Sequence, residues 1–481
     1  MRRILLCTVL ILLAGCASPA AAPGDTATAT SESSGTPVTH DERPDPDSDQ
    51  LGWENGYWHD DPIAVDASDG LNATERTQVI NRAMARVEVV RNVEFDRDVN
   101  VSVVSRGNFS ADSGGGSTDA ALRAFDNAKF EALFLIGNER DSIADQSDTR
   151  NQTVGGFYSP ARGDIVLVSN SDSPELDGER TLAHELVHAL QDQAFDLSGD
   201  RPASRDAYNG RNGLIEGDAS AVENAYLDRC GEEWDCLAGE TASQSQGDDE
   251  SPSINLGVYI LDYFPYSDGP GLIAHLRDGD DWSAVNDAFD NPPGSAVEVI
   301  YPERYGEFEP RTASLADRTS GDWERVRPEG RPDHGVIGQS GLTAMFAYTL
   351  YDDYNQDSVV SPQAFLNLDG GTVNMSDPFN YALPAVDGWT GDRFHAYERG
   401  DDRGYVWRLT WENSSEAREF TRSYRQLLGH WGGTTDSDGV WTIAEDSPFA
   451  GAVDVSVDGD VVTIVKAPTQ SALDGVRRES G

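Results

Sequence analysis

Residues 180–195 read Arg180-Thr181-Leu182-Ala183-His184-Glu185-Leu186-Val187-His188-Ala189-Leu190-Gln191-Asp192-Gln193-Ala194-Phe195, and the reading of the whole chain turns on them. Leu182, Leu186, Ala189 and Leu190 recur at helical spacing, which predicts a helix over 176–195 with one buried apolar face. His184 and His188 stand four apart on one helical face, where two imidazoles can grip a single ion. Glu185 lies one position on, aimed beside that ion, where a carboxylate can take a proton from water. The chain has 8 His in 481 residues, so two of them bracketing a Glu in this way carry information. The competing reading is an acidic amphipathic helix whose histidines are ordinary surface groups.

A catalytic zinc needs a third protein ligand and an open position. Glu216, in Gly213-Leu214-Ile215-Glu216-Gly217-Asp218-Ala219-Ser220, is the candidate. It opens a second predicted helix, 214–227, that can return antiparallel to the first, and Gly217 permits close helix approach. Glu223, seven residues further, shares its face and could orient His184 or His188; Asp218 is less well placed. His40, His59, His275, His334, His395 and His430 are isolated and do not extend this set. There is no Gly-rich phosphate loop, no Ser nucleophile elbow and no dinucleotide fingerprint.

Outward from these helices the chain reads as α+β. Val154–Val168 is a hairpin, two β-rich runs around Pro160 and Gly163. Helices are expected at 75–90, with Thr74 as a possible cap, and at 120–131, 257–263, 269–276, 282–289, 339–350 and 415–428. Val99–Val103 alternates as a strand, and Ala132–Ile136 reads as a buried one. Residues 306–334 are charged and proline-containing, a long surface loop. The alternation of 452–465 around Asp458-Gly459 ends the chain on a β-hairpin. Trp389 and Trp407 are read as core residues or a binding ledge.

Met1-Arg2-Arg3 and the apolar run 4–15 describe an export signal, too short to span a membrane. Leu13-Ala14-Gly15-Cys16 looks like a lipobox, so Cys16 is the expected lipidation site and the membrane an expected partner through that lipid. Residues 17–50 lack large apolar groups and read as a tether. The expected division is 1–16 lipoprotein signal, 17–50 tether, 51–305 catalytic domain and 306–481 C-terminal α+β module. Cys230 and Cys236 are expected to form a disulfide in an exported protein. Asp and Glu number 84 against 36 Lys plus Arg, a net charge of −48, with Lys129 and Lys466 the two lysines. That balance makes nucleic acid a poor partner, and molar salt would screen the surface over ~3 Å.

His184-Glu185-x-x-His188 followed by Ile215-Glu216-Gly217-Asp218-Ala219 resembles the gluzincins, metallopeptidases with two His and one Glu on zinc. The class with a third His six residues after the second is excluded, because Ala194 stands there. The resemblance implies a zincin-like core, a mixed sheet with an active-site helix, and the 154–168 hairpin is similar to the strand bordering the zincin substrate cleft. A peptide or protein substrate would then lie along Ile165–Val168 by strand addition. From about Leu51 to Leu428 the chain also resembles a family of haloarchaeal surface lipoproteins. Its landmarks are Asp262–Gly269, Asn291–Ser295, Pro302–Tyr305 and Gly388–Arg393. Related sequences carry His-Pro-Glu-Lys-Tyr where this chain has Tyr301-Pro302-Glu303-Arg304-Tyr305, so Tyr301 is a candidate phenol donor to an oxyanion. The resemblance implies a cell-surface zinc metallopeptidase with Glu185 as base and His184, His188 and Glu216 on zinc. The alternative is a catalytically inactive surface lipoprotein of the same fold that binds a ligand or partner.

Overall fold

The computed structural model describes residues 13–14, 45–63, 65, 71–109, 119–170, 176, 178–199, 202–237, 254–279, 281–355 and 357–477. Cys16 and most of the expected tether lie outside them. The architecture is α+β.

The chain runs through β1 (Leu13–Ala14), β2 (Trp53–Glu54), β3 (Tyr57–Trp58) and α1 (Ala73–Arg91). α1 starts on a capping box. Asn72 accepts from the Thr74 and Glu75 amides and Glu75 returns the bond, so Asn72 is the cap and Thr74 is already helical. Next come β4 (Asn100–Ser105), α2 (Ala120–Ala132), α3 (Ser142–Thr153), β5 (Val154–Ser159), β6 (Asp164–Ser169) and α4 (Arg180–Phe195). The run Ala132–Ile136, expected as a strand, is a buried turn that closes α2. Phe134 takes a left-handed φ of 53° there, and its ring stacks on Trp431 and meets Phe449 edge-on. Apolar content alone cannot separate a buried turn from a buried strand.

The first sheet has the order β1-β5-β6-β4, with β6 parallel to β4 and antiparallel to β5. Both edges of β6 are therefore occupied, and the expected substrate edge at Ile165–Val168 does not exist. β5 is the strand beyond it. Among described residues, its outer edge pairs with Leu13–Ala14, in parallel.

Helices α5 (Arg205–Arg229), α6 (Leu256–Leu276), α7 (Ser283–Asp290) and α8 (Val297–Ile300) pack behind α4. α6 continues through Pro265 and Pro270, where the sequence suggested two helices. An internal proline disfavours a helix by ~3 kcal/mol, and the burial of most of α6 offsets that. α5 and α6 cross at glycines: a Cβ on Gly217 would stand 2.4 Å from the Gly269 carbonyl oxygen. A side chain there would drive the helices apart and carry Glu216 with them.

The C-terminal half comprises β7 (Glu324–Arg325), α9 (Gly338–Ala347), α10 (Pro362–Phe365), β8 (Leu368–Asp369), β9 (Thr372–Val373), β10 (Trp389–Arg399), β11 (Asp402–Trp411), α11 (Ser414–His430), β12 (Gly433–Thr435), β13 (Trp441–Ile443), β14 (Gly451–Asp458), β15 (Val461–Ala467) and α12 (Leu473–Val476). Seven strands form one sheet, β12-β13-β14-β15-β11-β10-β7, and the expected terminal hairpin is β14–β15. Trp389 and Trp407 are core residues, fully buried. One hydrophobic core runs across position 305: Phe125 meets Phe394 edge-on at 5.8 Å and Phe134 stacks on Trp431.

Buried acids tie this core together. Asp206, at the start of α5, accepts from the Ala296 amide and abuts Gly338. Burial, with Asp392 and Glu298 nearby, pushes its pKa up to about 7. A raised carboxyl pKa stabilises the fold fully below the unfolded value and loses that contribution as pH rises through the folded one. Wild type should therefore lose up to about 4 kcal/mol between pH 4 and 7 that Asp206→Asn does not lose. Parallel pH profiles of thermal melting for the two proteins would reject this.

Candidate metal centre

α4 is buried from Leu182 to Gln191, wedged among α1, α5, β5 and β6. Its apolar stripe turns His184 and His188 toward α5, whose close crossing with α6 brings Glu216 in. The Glu216 Oε2 atom lies 3.3 Å from His184 Nε2 and 3.2 Å from His188 Nε2. One ligand atom of each of the three residues falls within 4.8 Å of the others. His184, His188 and Glu216 are at most 2 % exposed.

The outer nitrogens fix the tautomers. His184 Nδ1 lies 3.0 Å from Glu223 Oε2, and the other Glu223 oxygen accepts from Arg180. A carboxylate only accepts, so Nδ1 carries the hydrogen and Nε2 turns a lone pair inward. Gln191 performs the same task for His188. Its amide nitrogen donates to the Ile215 carbonyl at 3.0 Å and to Asp218 Oδ2 at 2.9 Å. Its oxygen therefore faces His188 Nδ1, 2.9 Å away, and must accept from it. Asp218 is held in turn by Arg91 Nε at 2.8 Å, an ion pair almost wholly buried.

Two imidazole lone pairs and a carboxylate oxygen thus converge, an arrangement that repels itself unless a cation or protons sit between. The trio could hold a metal ion. With protons alone, burial lowers the His184 pKa but bonds to Glu216 and Glu223 outweigh it, giving about 9. Burial raises Glu216, yet His188 and His184 bring it down to about 2. Both shifts record the same concentration of charge.

Glu185 stands beside the trio with no exposure. Neither carboxylate oxygen makes a hydrogen bond to a described residue; the nearby Tyr158 amide of β5 does not meet hydrogen-bond geometry. Burial lifts its pKa to about 7 against the pull of His188 and His184. Gly156 of β5 leaves the space: a Cβ there would come within 3.2 Å of Glu185 Cγ and 3.0 Å of Thr181 Cγ2. An unpartnered buried carboxylate is costly, and such groups persist where chemistry or a ligand uses them.

Glu223 thus meets His184, one of its two expected partners. Asp218, discounted in sequence, acts on His188 through Gln191. The structure does not bring Tyr301 to the trio. Its hydroxyl donates to Asp387 Oδ1 at 2.9 Å and accepts from Gln339, and no described contact joins it to His184, His188 or Glu216. The aromatic ring against the site is Tyr266, stacked on His184 at 6.0 Å. Tyr266 lies in the Asp262–Gly269 run, which sequence singled out without assigning it a place. Gln191 was legible in principle, since it sits three residues after His188 on the same face.

Cys230 and Cys236 form the expected disulfide, with Cα atoms 5.5 Å apart. Arg86 binds that loop through the Asp235 carbonyl and also pairs with Glu179 at 2.9 Å, directly before α4. Arg82 reaches the same carboxylate at 3.0 Å, so the loop and α1 together anchor the start of the histidine helix.

Gln191→Leu should weaken metal binding about 10- to 100-fold by freeing His188 to rotate. Competition against a chromophoric chelator measures this; unchanged affinity would mean that packing alone orients the ring.

The family model described as Domain of unknown function (DUF8575) matches residues 324–477, which span β7 to α12 and leave the His–His–Glu trio outside the match. No curated protein matches the chain. No solved structure matches it either. Among the described residues, no helix is long and apolar enough to cross a membrane.

Proposed function

We propose that this chain is a zinc-dependent metallopeptidase of the gluzincin type, exported and held at the outer face of the cell membrane by a lipid on Cys16. The observation that carries the reading is the convergence of His184 Nε2, His188 Nε2 and Glu216 Oε2 beside an unpartnered Glu185. Zinc is the ion that suits the donor set. Two ligands of a tetrahedral zinc with bonds near 2.0–2.1 Å stand about 3.3–3.4 Å apart, and the carboxylate-to-imidazole separations are 3.3 and 3.2 Å.

A zinc ion bound there would supply Lewis-acid polarisation of a peptide carbonyl and make a water acidic enough to attack at neutral pH. The chain's own residues do the rest. Glu223 and Gln191 keep both imidazoles in the liganding tautomer. Glu185 takes the proton of the attacking water and passes it to the departing amine, and its raised pKa suits both halves of that transfer. β5 supports the zincin reading as a strand antiparallel to β6 and packed against the base through Gly156, with Leu13–Ala14 on its outer side. An extended peptide would add to that edge, which a cut before Cys16 relieves of Leu13–Ala14.

The near-complete burial of all four residues favours a second reading, a closed metal-holding surface protein without turnover. Metal analysis of the purified protein, with digestion of an unstructured protein in molar salt, separates the two. Stoichiometric zinc with cleavage supports the peptidase; zinc without cleavage supports the second reading; absence of bound metal overturns both.

A further inference from the structure

The seven-stranded sheet has two faces of different character. Phe394, Ala396, Trp407 and Leu409 point into the main core, so the alternate residues of β10 and β11 face the other way. At one end of that outer face a small apolar cluster, including Tyr397, Val406 and Val465, packs under α12. At the other end β10 and β11 carry arginines, while Asp454 and Asp458 share the face on the more distant strand β14. Arg393 and Arg408 are direct cross-strand partners, and Arg408 faces Thr463 on its other side. Arg477, just beyond α12, lies close enough to Arg408 and Arg318 to feel their charges.

This placement runs against the composition. The chain has 84 carboxylates for 36 Lys plus Arg, so an arginine has ample choice of acidic partners. Both lysines have taken one: Lys129 pairs with Asp126 and Lys466 with Glu131. Arg325 and Arg327, on the near edge, use Asp333 and Asp317. Among the described residues, Arg393, Arg408 and Arg477 have no carboxylate within ion-pair distance. Arg393 instead donates to His395 Nε2 at 3.3 Å. His395 is held neutral there, its pKa lowered to about 3 by burial and by Arg325 and Arg393. Like charges directly opposite in a β-pair are destabilising, so the sheet carries a local cost that no ion pair to Arg393 or Arg408 among the described residues offsets. All three arginines are only partly exposed, which strengthens any contact with an anion.

We propose that this outer face of β10, β11 and β15 binds a doubly charged oxyanion, a phosphate or sulfate group, between Arg393 and Arg408 with Arg477 beside them. Planar guanidiniums match tetrahedral oxyanions with paired hydrogen bonds, and Thr463 offers a hydroxyl at the same position of the next strand. The site is independent of the metal centre and of any peptidase activity.

The test is calorimetric titration of the full chain with inorganic phosphate and with sulfate, at fixed chloride, with melting curves alongside. Wild type should bind one dianion per chain and melt several degrees higher when saturated. Arg408→Met should bind at least tenfold more weakly, yet melt no lower than wild type in chloride alone, because one of two opposed charges is gone. Arg393→Met should behave in the same way, so a folding defect in one variant leaves the other to decide. No saturable binding of either dianion, or equal affinity in wild type and variants, overturns the proposal. Co-sedimentation with vesicles carrying a phosphomonoester lipid, beyond that with neutral vesicles, assigns the group to a lipid headgroup. Phosphate binding without such sedimentation assigns it to a free anion.

Discussion

Glu185→Gln is expected to keep bound metal at the wild-type ratio while lowering peptide hydrolysis by about 10²- to 10⁴-fold, the range for loss of a positioned general base. The amide matches the carboxylate in shape, so the space between Gly156, Thr181 and the helix stays filled. It cannot take a proton from water. The same change should leave the metal-free protein no less stable at pH 8. Burial raises the Glu185 pKa to about 7, so the ionised carboxylate costs stability that is absent below the unfolded value and grows as pH rises toward 7. A variant that melts well below wild type would make Glu185 a packing residue. One that cleaves at the wild-type rate would remove it as the base.

Glu216→Ala is the second large effect. It removes the ligand contributed by α5 and leaves two imidazoles, both still held by Glu223 and Gln191. Bound metal should fall below detection at micromolar protein. Saturating metal at about a thousand times its dissociation constant stabilises a fold by about 4 kcal/mol, so a chelator should lower the wild-type melting temperature by several degrees. The same chelator should leave the Glu216→Ala variant unmoved. An equal fall in both proteins would place the chelated ion elsewhere.

The site and the framework around it were legible in sequence to different depths. His184, Glu185 and His188 sit on one helix, where spacing of four is a geometric statement that needs no fold. Glu216 was reachable because Gly217 announces a close crossing, and the crossing with Gly269 is what delivers it. Glu223 followed from its seven-residue offset along the same helix. Gln191 and Asp218 were not inferred, because one works only through the other and the pair spans two helices. Tyr301 was a candidate on local resemblance, yet its hydroxyl is spent on Asp387 and Gln339, which no local pattern discloses.

The strands divide along the same line. The hairpins 154–168 and 452–465 announce themselves through turn residues and alternation. β10 and β11, the longest strand pair among the described residues, carry no equal signal, because Arg393, His395 and Arg408 on one face alternate with tryptophans and an acid on the other. The order of strands was beyond the sequence altogether. Ile165–Val168 looks like any exposed strand until β4 and β5 close both its sides.

By itself the sequence determined the elements whose physics is local: the amphipathic histidine helix, the Cys230–Cys236 pairing, the terminal hairpin, and a strongly acidic composition with two lysines. Tertiary structure alone decided that both edges of β6 are closed, how two buried amide and carboxyl groups set the tautomer of His188, and that Arg393 and Arg408 stand opposite each other across β10 and β11. Those depend on groups far apart in the chain meeting out of water, where each lone pair and charge must find its complement. Periodicity along a strand of sequence does not encode such meetings.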